Sequence, residues 1–219
     1  MTVPTTLDHL LWAVPDLADG VAHLAALTGV EAVRGGAHPG LGTANHLLAL
    51  RVPGVAGPRR TYLEVIGPDP EQSLPADRVS LGVGHVRAPS LHTWAVRPAD
   101  LDATVRAAAA AGVDVGEVRA TERTTPDGRL LRWRMTSRRE LGLDGVQPFL
   151  IDWRDTPHPA QGDLPELTLL DLTAEARDVA ATERVLTALG APLRVTPGPR
   201  DSLRAVLGTP RGEVVLATA

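Results

Sequence analysis

The sequence predicts an α+β protein built from three consecutive β-α-β-β-β units. Three segments of the 219-residue chain resemble one another: Leu10–Val30, Leu91–Val113 and Leu167–Ala191. Each reads as a short apolar strand, a turn with an acidic residue, an Ala-rich helix and then a glycine, which is the signature of an internal structural repeat. Strand-like stretches separated by turn residues follow each helix.

The first unit begins with a strand whose two faces are both largely apolar, so cover is expected on both sides of the sheet. Pro15 disfavours helix at Val14, and Asp16 is placed to cap the helix that follows. Gly29 is expected to end that helix. Two strands complete the unit, at 46–52 and 61–66.

The second and third units follow the same plan. Ala107–Ala111 has high helix propensity before Gly112, and Gly190 ends the third helix. The expected strands lie at 115–123, 129–135 and 148–153 in the second unit, and at 193–196, 203–207 and 213–217 in the third. Linkers near 69–78 and 156–165 give module boundaries of 1–68, 85–158 and 164–219.

Composition excludes several classes of protein. The chain is 43% hydrophobic and 22% charged, which is ordinary for a globular protein. Its net charge of −4 and six aromatic residues argue against nucleic-acid binding. The absence of cysteine excludes disulfides, thiolate metal sites and cysteine nucleophiles.

The chain shows no sign of membrane association. The stretch MTVPTTLDH has neither the basic nor the apolar region of a signal peptide. No run approaches the roughly 18 apolar residues that a spanning helix needs. A cytoplasmic protein is therefore expected.

Five motifs resemble the vicinal oxygen chelate superfamily, in particular its glyoxalase-like bacterial members. LDHLLWAVPDL, HPGLGTANHLLAL and YLEVIGPDP match its first module, and PFLIDW and TPHP match its second. The resemblance covers about residues 6–158. It implies paired βαβββ modules that form a half-open, barrel-like sheet with a cleft, to which this chain adds a third, C-terminal half-module.

The resemblance also implies a set of metal ligands at the ends of each module. His9 holds the first-strand position, Glu64 the last-strand position, and Asp152 the equivalent place in the second module. Such a set suits a divalent metal, Zn, Ni, Mn or Fe. Glu64 and Asp152 are then also the candidate catalytic carboxylates, with Asp152 as third ligand or general base.

The fourth ligand position departs from the family pattern. Alignment of the two Trp-Ala-Val triplets places Leu91 opposite His9, and leaves His92 one residue out of register. That offset turns His92 to the opposite face of a regular strand. A β-bulge would rotate it inward, although nothing in the sequence demands one.

Other side chains are candidates for binding substrate, each beside a structural alternative. Asn45 and His46 follow a Gly-rich loop that is either a cleft rim or an ordinary connector. Arg132 and Arg134 form either an anion-docking patch or a solvated strand face. Trp94 either lines the cleft or packs between sheet and helix. The substrate-binding candidates are His92, Asn45, His46, Arg132, Arg134 and Trp94, and either His38 or His158 is a candidate to cover the cleft.

These observations lead to two hypotheses of function. The first is a metal-assisted lyase, isomerase or dioxygenase that acts on a small oxygenated substrate. The alternative is a metal-free protein that binds or sequesters a small molecule, as bleomycin-resistance relatives do. In both cases the partner is a small molecule, a homodimer is expected, and the third unit is structural.

Overall fold

The computed structural model describes residues 3–55, 61–125, 127–138 and 140–219. The chain runs through the order β-α-β-β-β three times, as the repeats predict. The elements are β1 Leu7–Ala13, α1 Leu17–Thr28, β2 Val33–His38, β3 Thr43–Arg51, β4 Tyr62–Pro68, β5 Ser90–Val96, α2 Leu101–Ala110, β6 Glu117–Thr124, β7 Leu130–Ser137, β8 Phe149–Asp152, β9 Glu166–Ala176, α3 Val179–Ala188, β10 Arg194–Pro197, β11 Ser202–Thr209 and β12 Gly212–Ala217.

The acidic residue in each repeat caps the helix that follows it. The side chains of Asp16, Asp100 and Asp178 each accept a hydrogen bond from the backbone N–H three residues on, at 2.8–2.9 Å. Such a bond satisfies one of the free N–H groups at a helix start. Gly29 ends α1 in the left-handed region, with φ of 75°. None of the helices in the described ranges is long and apolar enough to cross a membrane.

The twelve strands form one sheet, in which the first two modules are paired. Their strands run in the order β2-β3-β4-β1-β5-β8-β7-β6, with β1 antiparallel to β5 at the junction between the modules. The free edges β2 and β6 meet. The Arg123 guanidinium on β6 donates a hydrogen bond across them to the Gly35 carbonyl on β2. The sheet therefore curls around a cleft, which confirms the predicted fold class.

The third module packs onto the first two rather than standing apart. Its strand β9 runs parallel to β3, with Ala49 paired to Glu166. Leu169, Leu172 and Leu203 join the same hydrophobic core as Leu50 of the first module and Trp94 of the second. The third module thus shares one hydrophobic core with the first two modules, on the helix-bearing side of the sheet.

We expect a chain that ends at Asp163 to lose its cooperative fold. Removal of the third module exposes Leu50 and its core neighbours and leaves the edge of β3 unpaired. The measurement is soluble yield and the unfolding midpoint in urea. A control is Val215→Thr, which changes an exposed β12 side chain and should leave both unchanged. A soluble, monodisperse truncation with the stability of the full chain would refute a structural role for the module.

Candidate functional site

A cavity with an empty volume of about 500 Å³ lies in the cleft between the first two modules. Its two walls differ in chemistry. The first module supplies polar side chains: His9, His38, Thr43, Asn45, Tyr62 and Glu64. The second supplies an apolar and aromatic wall with one cation: Trp133, Met135, Phe149, Ile151, Trp153 and Arg123.

Strand alternation explains how His9 and Glu64 come to face the cavity. On β1, Leu10 and Trp12 enter the helix-side core, which turns His9 to the cleft. Parallel β4 lies beside β1, and its Glu64 faces the same way. The Nε2 atom of His9 lies 3.5 Å from Oε2 of Glu64. The His9 ring stacks on Tyr62 with a centroid separation of 4.5 Å.

Asp8 lies behind His9 as the centre of a buried polar cluster. Its carboxylate is 0% exposed and lies 2.8 Å from His9 Nδ1, 3.1 Å from Trp153 Nε1 and 3.2 Å from His158 Nε2. The Arg97 guanidinium adds a charge at 3.7 Å. Burial by itself raises the pKa of Asp8, but the hydrogen bonds from His158 and His9 outweigh it and hold the pKa well below its usual range.

The ionised Asp8 fixes the orientation of the His9 ring. A carboxylate only accepts hydrogen bonds, so Nδ1 of His9 carries the proton that points at Asp8. The other nitrogen, Nε2, is then presented to Glu64 and to the cavity. This arrangement stabilises a positive charge on the imidazole whenever Nε2 gains a proton.

Asn45 and His38 hold the other oxygen of Glu64. The Asn45 amide nitrogen donates to Glu64 Oε1 at 2.5 Å and lies 3.3 Å from His38 Nε2. Burial lowers the pKa of His38, although Glu64 opposes the shift. The neutral ring therefore accepts from Asn45 at Nε2 and donates from Nδ1 to Thr43 Oγ1 at 2.8 Å.

The Gly35-Gly36 pair on β2 makes room for these polar groups. A Cβ atom at Gly35 would lie 2.2 Å from the Asn45 side-chain oxygen. Gly36 has a φ of 139°, and a Cβ there would come 2.9 Å from the Thr124 carbonyl. A side chain at Gly35 would therefore collide with Asn45, and one at Gly36 would push apart the seam between β2 and β6.

The structure places Asp152 away from the cavity, contrary to the expected ligand set. Its neighbours on β8, Ile151 and Trp153, line the cavity, so alternation turns Asp152 to the other face. Its Oδ1 accepts a hydrogen bond from the Arg154 backbone N–H at 2.9 Å, and Oδ2 lies 4.0 Å from that guanidinium. Asp152 therefore does not converge with His9 and Glu64.

His92 occupies a β-bulge but does not line the cavity. Leu11 pairs with Thr93 and Trp12 with Leu91, which leaves His92 as the extra residue. Its Nε2 lies 2.7 Å from the Leu81 carbonyl and donates to it. Leu81 belongs to the 3-10 helix at Ser80–His85 and lines the cavity. His92 thus anchors a segment of the cavity wall instead of reaching a ligand itself.

The two arginines expected to dock an anion point away from the cleft. Arg132 pairs with Glu122 at 3.2 Å on the exposed face of the β6–β7 hairpin. Arg134 forms a two-bond ion pair with Asp102 in the first turn of α2. Alternation explains both, since Trp133 between them faces the cavity.

Two further candidates lie on the far side of the sheet. Trp94 is 0% exposed in the helix-side core and donates from Nε1 to the Val146 carbonyl at 2.8 Å. His46 is partly buried beside α1, outside the lining of the cleft. Burial lowers the pKa of His46. The packing alternative for Trp94 agrees with this placement.

Several residues of the site are absent from the sequence-based candidates: Asp8, Tyr62 and Arg123. Tyr62 had a usable signal, because it lies two residues before Glu64 and shares its strand face. Trp153 stands beside the matched Asp152 but faces the other way. His158, a candidate cover for the cleft, instead lies under it, bound to Asp8.

We expect the free energy of unfolding to fall as the pH is lowered from 7.5 to 5.5. Burial lowers the pKa of His38 and of His158, in the latter case against the opposing hydrogen bond to Asp8. Both rings are therefore neutral in the folded state at a pH where the unfolded chain, with histidine pKa near about 6.5, takes up protons. Because the unfolded state binds more protons, stability declines by up to about 1.4 kcal/mol per pH unit for each ring.

Urea denaturation at pH 7.5, 6.5 and 5.5 measures this slope. His158→Gln should reduce it, whereas His23→Gln changes a ring on α1 outside the site and should not. A free energy of unfolding that stays constant between pH 7.5 and 5.5 would contradict the assignment of neutral buried rings.

The paired modules, the cleft between them and its polar first-module wall define a glyoxalase-like protein of the vicinal oxygen chelate type. A family model described as a glyoxalase-like domain matches residues 7–192, and the chain belongs to that family. The resemblance seen in the sequence motifs is thereby confirmed. No curated protein sequence matches the chain.

Solved structures resemble the chain at low sequence identity. A hypothetical protein from Staphylococcus aureus is 13% identical with a TM-score of 0.63, and the match covers 96% of this chain and 84% of that one. A Streptomyces coelicolor methylmalonyl-CoA epimerase in complex with 2-nitronate-propionyl-CoA is 21% identical with a TM-score of 0.46, over 71% of this chain and 99% of the other. The Mycobacterium tuberculosis methylmalonyl-CoA epimerase is 21% identical with a TM-score of 0.42, over 74% and 95%.

Proposed function

We propose that this protein is an enzyme that transfers protons on a small oxygenated substrate, with Glu64 as base and His9 as its acid partner. The observation that carries the proposal is the His9–Glu64 pair inside the cavity, with 3.5 Å between Nε2 and Oε2. Isomerisation and lyase reactions that begin with loss of a proton beside a carbonyl are the chemistry this pair serves.

Glu64 is the better placed of the two groups to remove a proton. Asn45 holds one of its oxygens, Oε1, at 2.5 Å, which leaves Oε2 toward His9 and the cavity. The aromatic wall of Trp133, Phe149 and Trp153 limits water around it. A carboxylate held in this way keeps one orientation, as proton abstraction from carbon requires.

His9 is suited to supply the complementary proton. When Nε2 is protonated, the ring is an imidazolium whose charge Asp8 stabilises through Nδ1. It can then give a proton to a substrate oxygen as Glu64 takes one from the neighbouring carbon. When Glu64 gives its proton to the neighbouring carbon and His9 takes a proton back from a substrate hydroxyl, an isomer forms and both groups are restored.

Deuterium exchange tests this proposal without knowledge of the natural substrate. The protein is incubated in D2O with a panel of small 2-oxo acids, hydroxy ketones and aldehydes, and loss of the C–H signal next to the carbonyl is followed by NMR. We expect exchange that depends on protein for at least one compound. Absence of exchange across the panel, with each compound shown by its chemical shifts to bind, would refute the proposal.

The expected metal ligands do not fit the described site. Only His9 and Glu64 of the set reach the cavity, and the described residues contain no group of three or more His, Cys, Asp or Glu side chains that could hold a metal ion. The Asn45 amide nitrogen donates to Glu64 Oε1 and lies 3.3 Å from His38 Nε2, so it competes with a cation for these two atoms. We therefore assign no step of the reaction to a metal.

We expect chelation to leave the protein unchanged. Treatment with EDTA should not alter the unfolding midpoint, because only His9 and Glu64 of the expected ligands line the cavity. The measurement is thermal unfolding with and without EDTA, beside metal analysis of wild type and His9→Ala. Near-stoichiometric Zn, Ni, Mn or Fe in wild type that is lost in His9→Ala would contradict this expectation and restore the metal hypothesis.

A metal-free binding protein is the second candidate function, and the aromatic wall favours it. Trp133 and Trp153 pack with ring centroids 5.4 Å apart and offer an apolar surface to a flat ligand. Ligands that raise the unfolding midpoint with no exchange or turnover would support sequestration over catalysis.

A further inference from the structure

Among the residues that the structure describes, Arg123 is the one arginine that lines the cavity, and it stands where two cavities meet. Its side chain comes from β6 and is 4% exposed. It also lines a neighbouring cavity, with an empty volume of about 1060 Å³, which we call the outer cavity. The outer cavity is bordered by Arg34, Leu131, Pro157, His158 and Gln161, among others.

The guanidinium of Arg123 has no carboxylate partner in the described part of the chain. Its one hydrogen bond there runs from NH1 to the Gly35 carbonyl, so Nε and NH2 retain free donors. No carboxylate oxygen of the described residues lies within 4.0 Å of it. The four other arginines of the β6–β7 hairpin that form ion pairs are all on its exposed side: Arg119, Arg129, Arg132 and Arg134.

This pattern is the reverse of what stability alone favours. A buried charge is costly unless it is paired, whereas exposed ion pairs contribute little. Burial lowers the pKa of Arg123, with Tyr62 and Glu64 opposing the shift. An anion placed beside the guanidinium would remove this cost, since the free N–H donors would then be satisfied.

We propose that Arg123 binds a carboxylate group of the substrate at the junction between the two cavities. The planar fork of a guanidinium matches a carboxylate in two parallel hydrogen bonds. Arg123 is the one arginine in the described lining of the cleft, and of the two cavities Arg34 and Arg129 border only the outer one, so a singly charged group is the match on the cleft side of the junction. The ligand class is therefore a small carboxylic acid with an apolar or aromatic body.

The walls of the cavity orient such an acid. An acid with its carboxylate at Arg123 has Trp133 and Met135 beside its body, in the same cavity that Glu64 and His9 line. The approach of the acid to Glu64 and His9 matters only if the proposed function is right, and in that respect this inference rests on it. Binding at Arg123 does not rest on it, and the two are tested separately.

The competing explanation is that Arg123 only closes the seam between β2 and β6 through Gly35. Both explanations predict that loss of the guanidinium weakens the fold. Only carboxylate binding predicts that a neutral analogue of the same shape is rejected, and that this preference disappears with the guanidinium.

The test compares phenylacetate with phenylacetamide on the full chain by isothermal titration calorimetry. For wild type we expect phenylacetate to bind about tenfold or more tighter than its amide. Arg123→Met should reduce the affinity for phenylacetate to that for phenylacetamide. The matched control is Arg132→Met on the same hairpin, which removes an exposed guanidinium and should behave as wild type.

Several results would overturn the assignment. The first is that wild type binds phenylacetate and phenylacetamide with equal affinity. The second is that Arg123→Met lowers the affinity for both compounds equally. The third is that wild type binds none of acetate, benzoate and phenylacetate. If Arg123→Met does not fold, Arg123→Lys keeps the charge without the fork and should lose most of the preference. The wild-type comparison depends on no variant.

Failure of this inference and failure of the proposed function give different results. Glu64→Gln that still prefers phenylacetate but shows no proton exchange supports Arg123 as the anion site. Wild type that exchanges protons on carbonyl compounds with no preference for acids refutes the role of Arg123 and leaves the proposed function in place.

Discussion

Glu64→Gln is expected to lower the rate of protein-dependent deuterium exchange by about 10²- to 10⁴-fold. Glutamine has the shape of glutamate and can still accept the hydrogen bond from Asn45 through its oxygen, but it cannot take a proton. The fold should therefore persist while the base is lost. Exchange rates by NMR and the unfolding midpoint are measured on the same preparations.

Asp152→Asn is the matched control for this variant. It makes the same chemical change, from a carboxylate to an amide. The sequence also suggested Asp152 for the site, but its side chain lies on the other face of β8 and pairs with Arg154. Its exchange rate should equal that of wild type. If Asp152→Asn abolishes exchange and Glu64→Gln does not, the assignment of the base is wrong.

Asp8→Asn is expected to produce the largest loss of stability of any single polar substitution in the site, about 3–5 kcal/mol. The buried carboxylate accepts from His9, Trp153 and His158 and faces the partly exposed Arg97. Asparagine lacks the negative charge that these donors surround, and its NH2 group donates where a carboxylate oxygen accepted. Urea denaturation at pH 7.5 measures the effect.

Asp171→Asn is the comparison for this loss. Asp171 pairs with Arg194 at 3.0 Å on β9, where solvent reaches the pair, and its substitution should cost less than about 1 kcal/mol. Asp8→Asn should also slow deuterium exchange, because the His9 ring loses its fixed orientation. An Asp8→Asn protein within about 1 kcal/mol of wild type would contradict the view of Asp8 as the centre of the cluster.

Regular strand alternation explains why one pair of candidate residues faces the cleft, and bulges explain why others do not follow the pattern. His9 and Glu64 sit on regular stretches of β1 and β4, so their shared face followed from period-two patterning. Asp8 is the extra residue at a β-bulge between Leu7 and His9. That bulge allows two consecutive side chains to meet, which alternation alone forbids.

Strand alternation also fails to place two candidate residues of the second module. His92 lies at the bulge that the sequence allowed but did not require, and its ring went to the Leu81 carbonyl rather than to a ligand. Asp152 was matched to a family position one residue from those that face the cleft. A shift of one residue on a strand exchanges its two faces, so motif matching without a register placed Asp152 in the wrong direction.

The sequence by itself determined the repeated order of elements, the helix caps and the family, because these depend on local patterns of apolar, acidic and glycine residues. It also made His9, Asn45 and Glu64 candidates for the site, and all three line the cavity. The tertiary structure alone decided the rest. Arg123 reaches the cavity only because β2 and β6 close on each other, and His158 reaches Asp8 across 150 positions of chain. Contacts between distant segments depend on sheet curvature and bulges, which no local pattern encodes.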